Sequence, residues 1–198
     1  MNSFSSLPIL PEIYEALAAK SITEPTEVQK MVIPSILSGE NVVFQSETGT
    51  GKTLCFLIPA FMRSLGDGKK APQILIAAPT NELASQIKTE AVNLASASGL
   101  PVSSALLIGG APLKRQFDLL KQKPSILIGG PARLLELIRL KKIPTQSLSM
   151  IILDEADRML APEMRDILRD LLNEMPSVAQ YIACSATMTK YHLTLLKK

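Results

Sequence analysis

An α/β fold, with a mostly parallel central sheet and helices on both faces, is what this sequence predicts, and three observations carry it. Short β-rich runs alternate with longer segments of helical spacing. Several of the runs, ILIAA and MIIL among them, are apolar without alternation, as strands covered on both faces are. The chain has 198 residues, 46% hydrophobic and 20% charged, enough to fill one core.

In order, the first forty residues read as a helical lead-in to the same domain, with an amphipathic helix near 11 to 20, a turn at SITEP and a second helix near 26 to 38 ended by Gly39. From residue 41 to 198 the alternation sets in. NVVFQ (41 to 45), QILIAAP (73 to 79), VSSALLI (102 to 108), SILIGG (125 to 130), MIILDE (150 to 155) and QYIACSA (180 to 186) read as strands. Residues 52 to 65, 81 to 97, 112 to 121, 131 to 140 and 163 to 174 carry helical spacing between them. Strand and helix in alternation mean right-handed crossovers and a doubly wound sheet.

Composition narrows the partners only slightly. A net charge of +3 and a pI near 8.9 lean towards an anion, but the excess is small and spread along the chain. Cys55 and Cys184 are far apart in apolar surroundings, which favours reduced buried thiols over a disulfide or a metal site. No stretch has the length of a membrane span or the plan of a signal peptide. A soluble, cytoplasmic monomer is the expectation.

SETGTGKT (46 to 53) follows the first strand and opens a helix. In that context, Gly49 and Gly51 let backbone N–H groups wrap around a phosphate at a helix N-terminus. Ser46, Glu47, Thr48 and Thr50 complete the loop, Lys52 reaches β and γ oxygens, and the Thr53 hydroxyl is a Mg²⁺ ligand. Ser46 stands where the general pattern has glycine, and a plain strand-to-helix turn is the competing reading. MIILDEAD (150 to 157) ends an apolar strand in two acids, at the sheet edge where ligands bind. Asp154 is the candidate Mg²⁺ partner, partly through water, and Glu155 the candidate for orienting and deprotonating the attacking water. For Asp157, helix capping is the competing reading.

Together these blocks resemble the N-terminal, RecA-like lobe of a DEAD-box RNA helicase, over nearly the whole chain. Residues 154 to 157 spell D-E-A-D; EPTEVQ (24 to 29) resembles the family's Q motif, SETGTGKT motif I, and PTNELASQ (79 to 86) motif Ia. GG (109 to 110) with Gln116, GPAR (130 to 133) and SAT (185 to 187) resemble its GG, Ib and III elements. The resemblance implies an ATP-hydrolysing enzyme that uses ATP and Mg²⁺. Gln29 would pair bidentately with the N6/N7 edge of adenine, with exposure on its helix as the alternative. Ile22 replaces a stacking aromatic and Ser21 a glycine, while Phe4 matches an upstream aromatic of the Q motif. Pro79, Thr80, Asn81, Gly110, Gly130, Pro131 and Arg133 would grip a single RNA strand through its backbone, without reading bases. Asn81 stands for an arginine, and Gly130 and Ala132 for a threonine and a glycine. One phosphate contact is then missing, and Ala132 restricts the backbone. Lys114, Arg115, Lys121, Lys123, Lys141 and Lys142 either compensate or form a solvated face. Ser185 and Thr187 would bond towards Asp157 and couple nucleotide state to closure of two lobes.

APEMRDIL after the acids lacks the family's D-M-G-F continuation and reads as a variant. No second lobe follows SAT, and YHLTLLKK reads as an interrupted helix, so the chain is expected to be one lobe of a two-lobe enzyme and a poor ATPase alone. An ATP-gated RNA clamp or scaffold without unwinding is the alternative; a P-loop ATPase acting on a protein partner is the third reading.

Overall fold

The computed structural model describes residues 3–47, 49–66 and 71–187. Six strands form one sheet in the order β1-β6-β5-β2-β4-β3, every neighbouring pair parallel. They are β1 (Val42–Gln45), β2 (Ile74–Ala77), β3 (Ser104–Leu107), β4 (Ile126–Gly129), β5 (Met150–Leu153) and β6 (Gln180–Ser185). Each falls inside a run expected to be a strand. In β2, β4 and β5 every residue is buried. Ile74, Ile76, Ile126, Ile128, Met150 and Ile152 pack on one face, and Leu75, Leu127, Ile151 and Leu153 on the other. The absence of alternation in these runs is therefore burial on both faces.

Helices α1 (Pro11–Ala18), α2 (Glu27–Leu37), α3 (Lys52–Gly66) and α4 (Asn81–Ser98) cover the first face, with α2 against α3 and α1 against α4. On the second lie α5 (Leu113–Lys121), α6 (Pro131–Arg139), α7 (Ala156–Met159) and α8 (Pro162–Asn173). The lead-in belongs to this core, since Phe4, Ile13, Leu17 and Ile33 are buried with the sheet residues. The four-residue α7, inside DEADRML, is the helix that sequence periodicity does not show: it is shorter than one apolar repeat. The stretch APEMRDIL forms the start of α8, whose Pro162 at the first helical position suits a residue without an N–H donor. Residues 191 to 198, expected to be an interrupted helix, lie outside the described residues.

Ser21, in the turn that follows α1, has φ 62°, and the next N–H, of Ile22, closes back on Leu17 O at 3.0 Å. This left-handed corner is the conformation a glycine takes without strain. Ser21→Gly is accordingly expected to stabilise the fold by roughly 0.5–1 kcal/mol, read as a higher denaturant midpoint at constant m.

Candidate nucleotide site and nucleic-acid face

The strand order divides the carboxyl edge of the sheet into two halves. On β1, β6 and β5, side by side, the chain leaves into the phosphate loop, SAT and the DEAD acids. From β2, β4 and β3 it leaves into PTNELASQ, GPAR and the GG loop. The halves meet where Asp154 N–H donates to Ala77 O at 2.9 Å.

On the first half, Gly49, Gly51, Lys52, Thr53, Asp154 and Glu155 line one cavity of about 710 Å³. Lys52 opens α3. Gly51 has φ 84°, and a methyl group there would be strained and would push the Gln29 amide off the loop, so glycine suits this turn. The serine at the imperfect position has its own part: Ser46 Oγ shares a short hydrogen bond with Thr50 Oγ1, whose proton is also within reach of Glu47 O at 2.7 Å. A glycine at 46 could not brace the loop this way. Glu47 contributes its carbonyl, and Thr48 lies outside the described residues.

Gln29 is not the exposed helix residue of the alternative reading. It is 2% exposed; its Oε1 accepts from Thr26 N–H at 2.9 Å, closing a capping box, and its Nε2 donates to Gly51 O at 3.0 Å. Thr26 Oγ1 adds a bond to Thr50 O at 3.1 Å. The Q-motif helix thus clasps the phosphate loop directly. Each end of the Gln29 amide retains one further hydrogen-bonding position. Ile22 is 36% exposed, the apolar side chain left at this corner.

The acids are held differently from one another. Asp154, 7% exposed, receives Glu155 N–H and the Cys184 thiol on the same oxygen, Oδ1, at 3.1 Å each. Burial raises its pKa, with the thiol bond and Lys52 pulling against that shift and Glu155 adding to it. Burial and then the Asp154 charge push Cys184 well up, so its thiol stays protonated and donates. Glu155 sits at φ 50° and ψ 51°, a strained position for a residue with a side chain, and its Oε2 is paired with Arg158 at 2.7 Å.

Asp157 accepts a short bond from Thr187 Oγ1; Ser185 Oγ takes the Thr187 N–H at 3.1 Å and donates to Thr187 O at 2.7 Å. Burial alone would raise Asp157, but the Thr187 and Ser185 hydroxyls hold it below the ordinary aspartate value. A lowered folded-state pKa gives stability that is complete above the ordinary value of 3.8 and is lost as pH falls through the lowered one. Asp157→Asn is therefore expected to flatten the acid limb below about pH 4, measured as denaturant midpoint against pH; an unchanged slope would mean that the contact contributes nothing.

A family model described as DEAD/DEAH box helicase matches residues 26–194. The chain belongs to that family. The DEAD-box ATP-dependent RNA helicase CshC of Bacillus cereus is 39% identical over 183 residues, covering 92% of this chain and 46% of the relative. For CshB of Listeria monocytogenes the values are 35% over 197 residues, 100% and 45%. A DEAD box protein from the hyperthermophile Methanococcus jannaschii superposes with a TM-score of 0.90 at 31% identity, covering all of this chain and 53% of that one. For yeast Dbp5 bound to RNA and ADP BeF3, the TM-score is 0.88 at 25% identity, covering 100% and 49%. The chain thus spans about half the length of these relatives, and its fold is that of their RecA-like domains.

On the second half of the edge, this DEAD-box chain fixes one loop with three helices. Gln116 Nε2 donates to Ile108 O at 2.9 Å and to Ala111 O at 3.2 Å; Asn81 Nδ2 donates to Gly109 O at 3.2 Å; Arg133 donates to Ala111 O at 3.2 Å. The carbonyls on either side of Gly110 are turned towards the protein. Arg133 is also paired with Glu136 at 2.9 Å, its side chain only 14% exposed. The expected phosphate-gripping cation thus already shares its charge with an acid one turn along the helix. Asn81 likewise faces the GG loop, in place of the absent arginine. Ala132 restricts nothing, because it occupies ordinary helical backbone in α6.

Thr80 caps α4, accepting from Leu83 N–H at 3.2 Å, after Pro79 has ended the β2 exit. Pro131 stands at the first position of α6 behind Gly130, with no side-chain cap. Beyond the Pro79, Thr80 and Asn81 of PTNELASQ expected at RNA, Glu82 and Gln86, with Glu90 one turn past the block on the same face of α4, line the candidate phosphate cavity. Their spacing by four was the available signal. Of the scattered basic residues, Lys121 pairs with Asp118 at 2.8 Å and Lys142 lies 4.9 Å from the Phe117 ring centre. Among the described residues no helix is long and apolar enough to cross a membrane.

Proposed function

We propose that this chain is the ATP- and Mg²⁺-binding N-terminal lobe of an ATP-dependent RNA helicase or RNA–protein remodeller, with a second RecA-like lobe outside the chain. One observation carries the reading: the phosphate loop with Lys52 and the first two DEAD acids, Asp154 and Glu155, line a single cavity, and the Q-motif glutamine is bonded to the loop itself. The residues suit Mg²⁺ with nucleotide, since the Thr53 hydroxyl and a buried carboxylate are hard oxygen donors beside a phosphate cradle. Bound there, Mg²⁺ would neutralise charge on the phosphates.

In this reading the loop N–H groups and Lys52 seat the β- and γ-phosphates, and the remaining donor and acceptor positions of Gln29 select adenine. Glu155 keeps Oε1 for the attacking water while Arg158 holds Oε2. The charge stabilisation that makes hydrolysis fast would come from the other lobe, so the lobe alone would turn over slowly. Names of the relatives support ATP and RNA as ligands: the bacterial proteins are called ATP-dependent RNA helicases, and the yeast structure holds RNA and an ADP complex. Two buried free thiols fit a reducing, cytoplasmic setting.

Titration with a fluorescent ADP analogue and Mg²⁺ tests the nucleotide reading, with Gln29→Ala as the variant and GTP as competitor. Saturable binding that GTP does not displace and that Gln29→Ala weakens is expected. Equal displacement by GTP and ATP would remove the adenine-reading role.

The clamp alternative is favoured by one observation: Asn81 and Arg133 are both spent on the GG loop. If Arg133 positions that loop, Arg133→Gln in the two-lobe protein lowers RNA affinity without changing the slope of log K against log salt. A slope smaller by about 0.7 would show a direct phosphate contact instead.

A further inference from the structure

Among the described residues, Cys184 is the buried donor to the DEAD acids for which no family motif accounts. It lies on β6 immediately before Ser185, with no exposure, packed in the α2–α3 side of the core with Phe44, its register partner on β1. Its Sγ is 3.1 Å from Asp154 Oδ1, with a longer approach of 3.6 Å to Leu153 O. The Glu155 N–H ends on the same Oδ1. Two donors from different chain segments, one across the β5–β6 pairing and one next along the chain, therefore hold one oxygen of a nearly buried carboxylate. No hydrogen bond from the described residues occupies Oδ2. A cysteine suits the place because it packs as a small apolar residue while its S–H still donates.

We propose that Cys184 is a positioning residue for Asp154: its thiol fixes the carboxylate by Oδ1 and leaves Oδ2 free for Mg²⁺ arriving with nucleotide. Outer partners of this kind orient metal-holding groups, and their loss usually costs 10–100-fold in metal affinity; a thiol, a weak donor, belongs at the lower end of about tenfold. The inference rests on the proposed nucleotide reading. It adds that the end of β6 and the residues just after it restrain both aspartates of the motif: Cys184 holds Asp154, while Thr187, with Ser185, holds Asp157.

The test measures ADP affinity of the chain twice, in excess Mg²⁺ and in chelator, for wild type, Cys184→Ala and Cys184→Ser. Wild type should bind more tightly with Mg²⁺. In Cys184→Ala that Mg²⁺-dependent gain should shrink about tenfold with affinity in chelator unchanged, and Cys184→Ser, which restores a donor, should recover most of it. An unchanged gain in Cys184→Ala overturns the proposal. So does an equal loss with and without Mg²⁺, which marks a packing defect only. Wild type that binds ADP without any Mg²⁺ effect sinks the metal reading and the proposal together, whereas a normal wild type with an indifferent Cys184→Ala sinks the proposal alone. If the alanine variant does not fold, the S–H stretching band of wild type and Asp154→Asn decides: a neutral amide accepts more weakly, so the Cys184 band should rise in frequency. A band that does not move means the bond is absent.

Discussion

Lys52→Ala is expected to weaken Mg²⁺–ADP binding on the order of a hundredfold while leaving thermal stability unchanged. The lysine opens α3 on the wall of the phosphate cavity, and no carboxylate forms an ion pair with it among the described residues. Its charge reaches Asp154 and Cys184 only at longer range, pulling weakly against the upward shift that burial gives both groups. It is therefore a cation without a tight partner, facing a cradle for anions. A charge-assisted hydrogen bond contributes about 1.5–3 kcal/mol, and loss at the upper end gives about two orders of magnitude in affinity. Folding should not change, because the side chain is only half-buried and completes no network. Titration and a melting curve on the same preparation check both halves. An affinity within threefold of wild type would mean that SETGTGKT serves only as a turn.

Gly129→Ala should produce the largest loss of stability in the chain, about 3 kcal/mol or more and on the order of 10 °C in melting temperature. Gly129 ends β4, pairing with Ala77 on β2 and Leu107 on β3. A Cβ there would run into the Leu107 carbonyl oxygen and come within 3.1 Å of its carbon. The obstacle is backbone, so no change of rotamer relieves it; β3 would have to move away from β4. Since the GG loop leaves from β3 and α6 starts two residues beyond Gly129, RNA-face geometry should fail before the nucleotide half does. Calorimetry alongside ADP titration would show it, and a variant as stable as wild type would refute the close approach.

Much of this architecture was legible because the strands are buried on both faces, so runs such as ILIA and MIIL are unbroken, and because glycine and proline mark the exits. The convergence of loop and acids followed from the parallel topology alone. What stayed hidden are contacts between segments that the chain brings together from afar. No local pattern says that Gln29 turns its amide onto Gly51, 22 residues on, or that Cys184 bonds Asp154, 30 residues back. Arg133 reads as a phosphate contact, and nothing local says that it also pairs with Glu136 one turn away and bonds Ala111 O. Such i,i+3 pairs occur on most surface helices and separate a working charge from a neutralised one only in three dimensions. Thr187 was readable because SAT follows a strand beside the DEAD strand, which leaves few directions for its hydroxyl.

Helix α4 belongs to both halves of the sheet edge. It is 18 residues long, roughly 27 Å of rigid rod, and it starts at the Thr80 cap, where Asn81 meets the GG loop. Within its first three turns Glu82, Gln86 and Glu90 form a wall of the phosphate cavity. A strand gripped at its tip and a nucleotide against its flank would press on one stiff body. Thermodynamic linkage would then make the coupling two-way: by whatever factor bound nucleotide changed the grip on RNA, RNA would change the hold on nucleotide by the same factor.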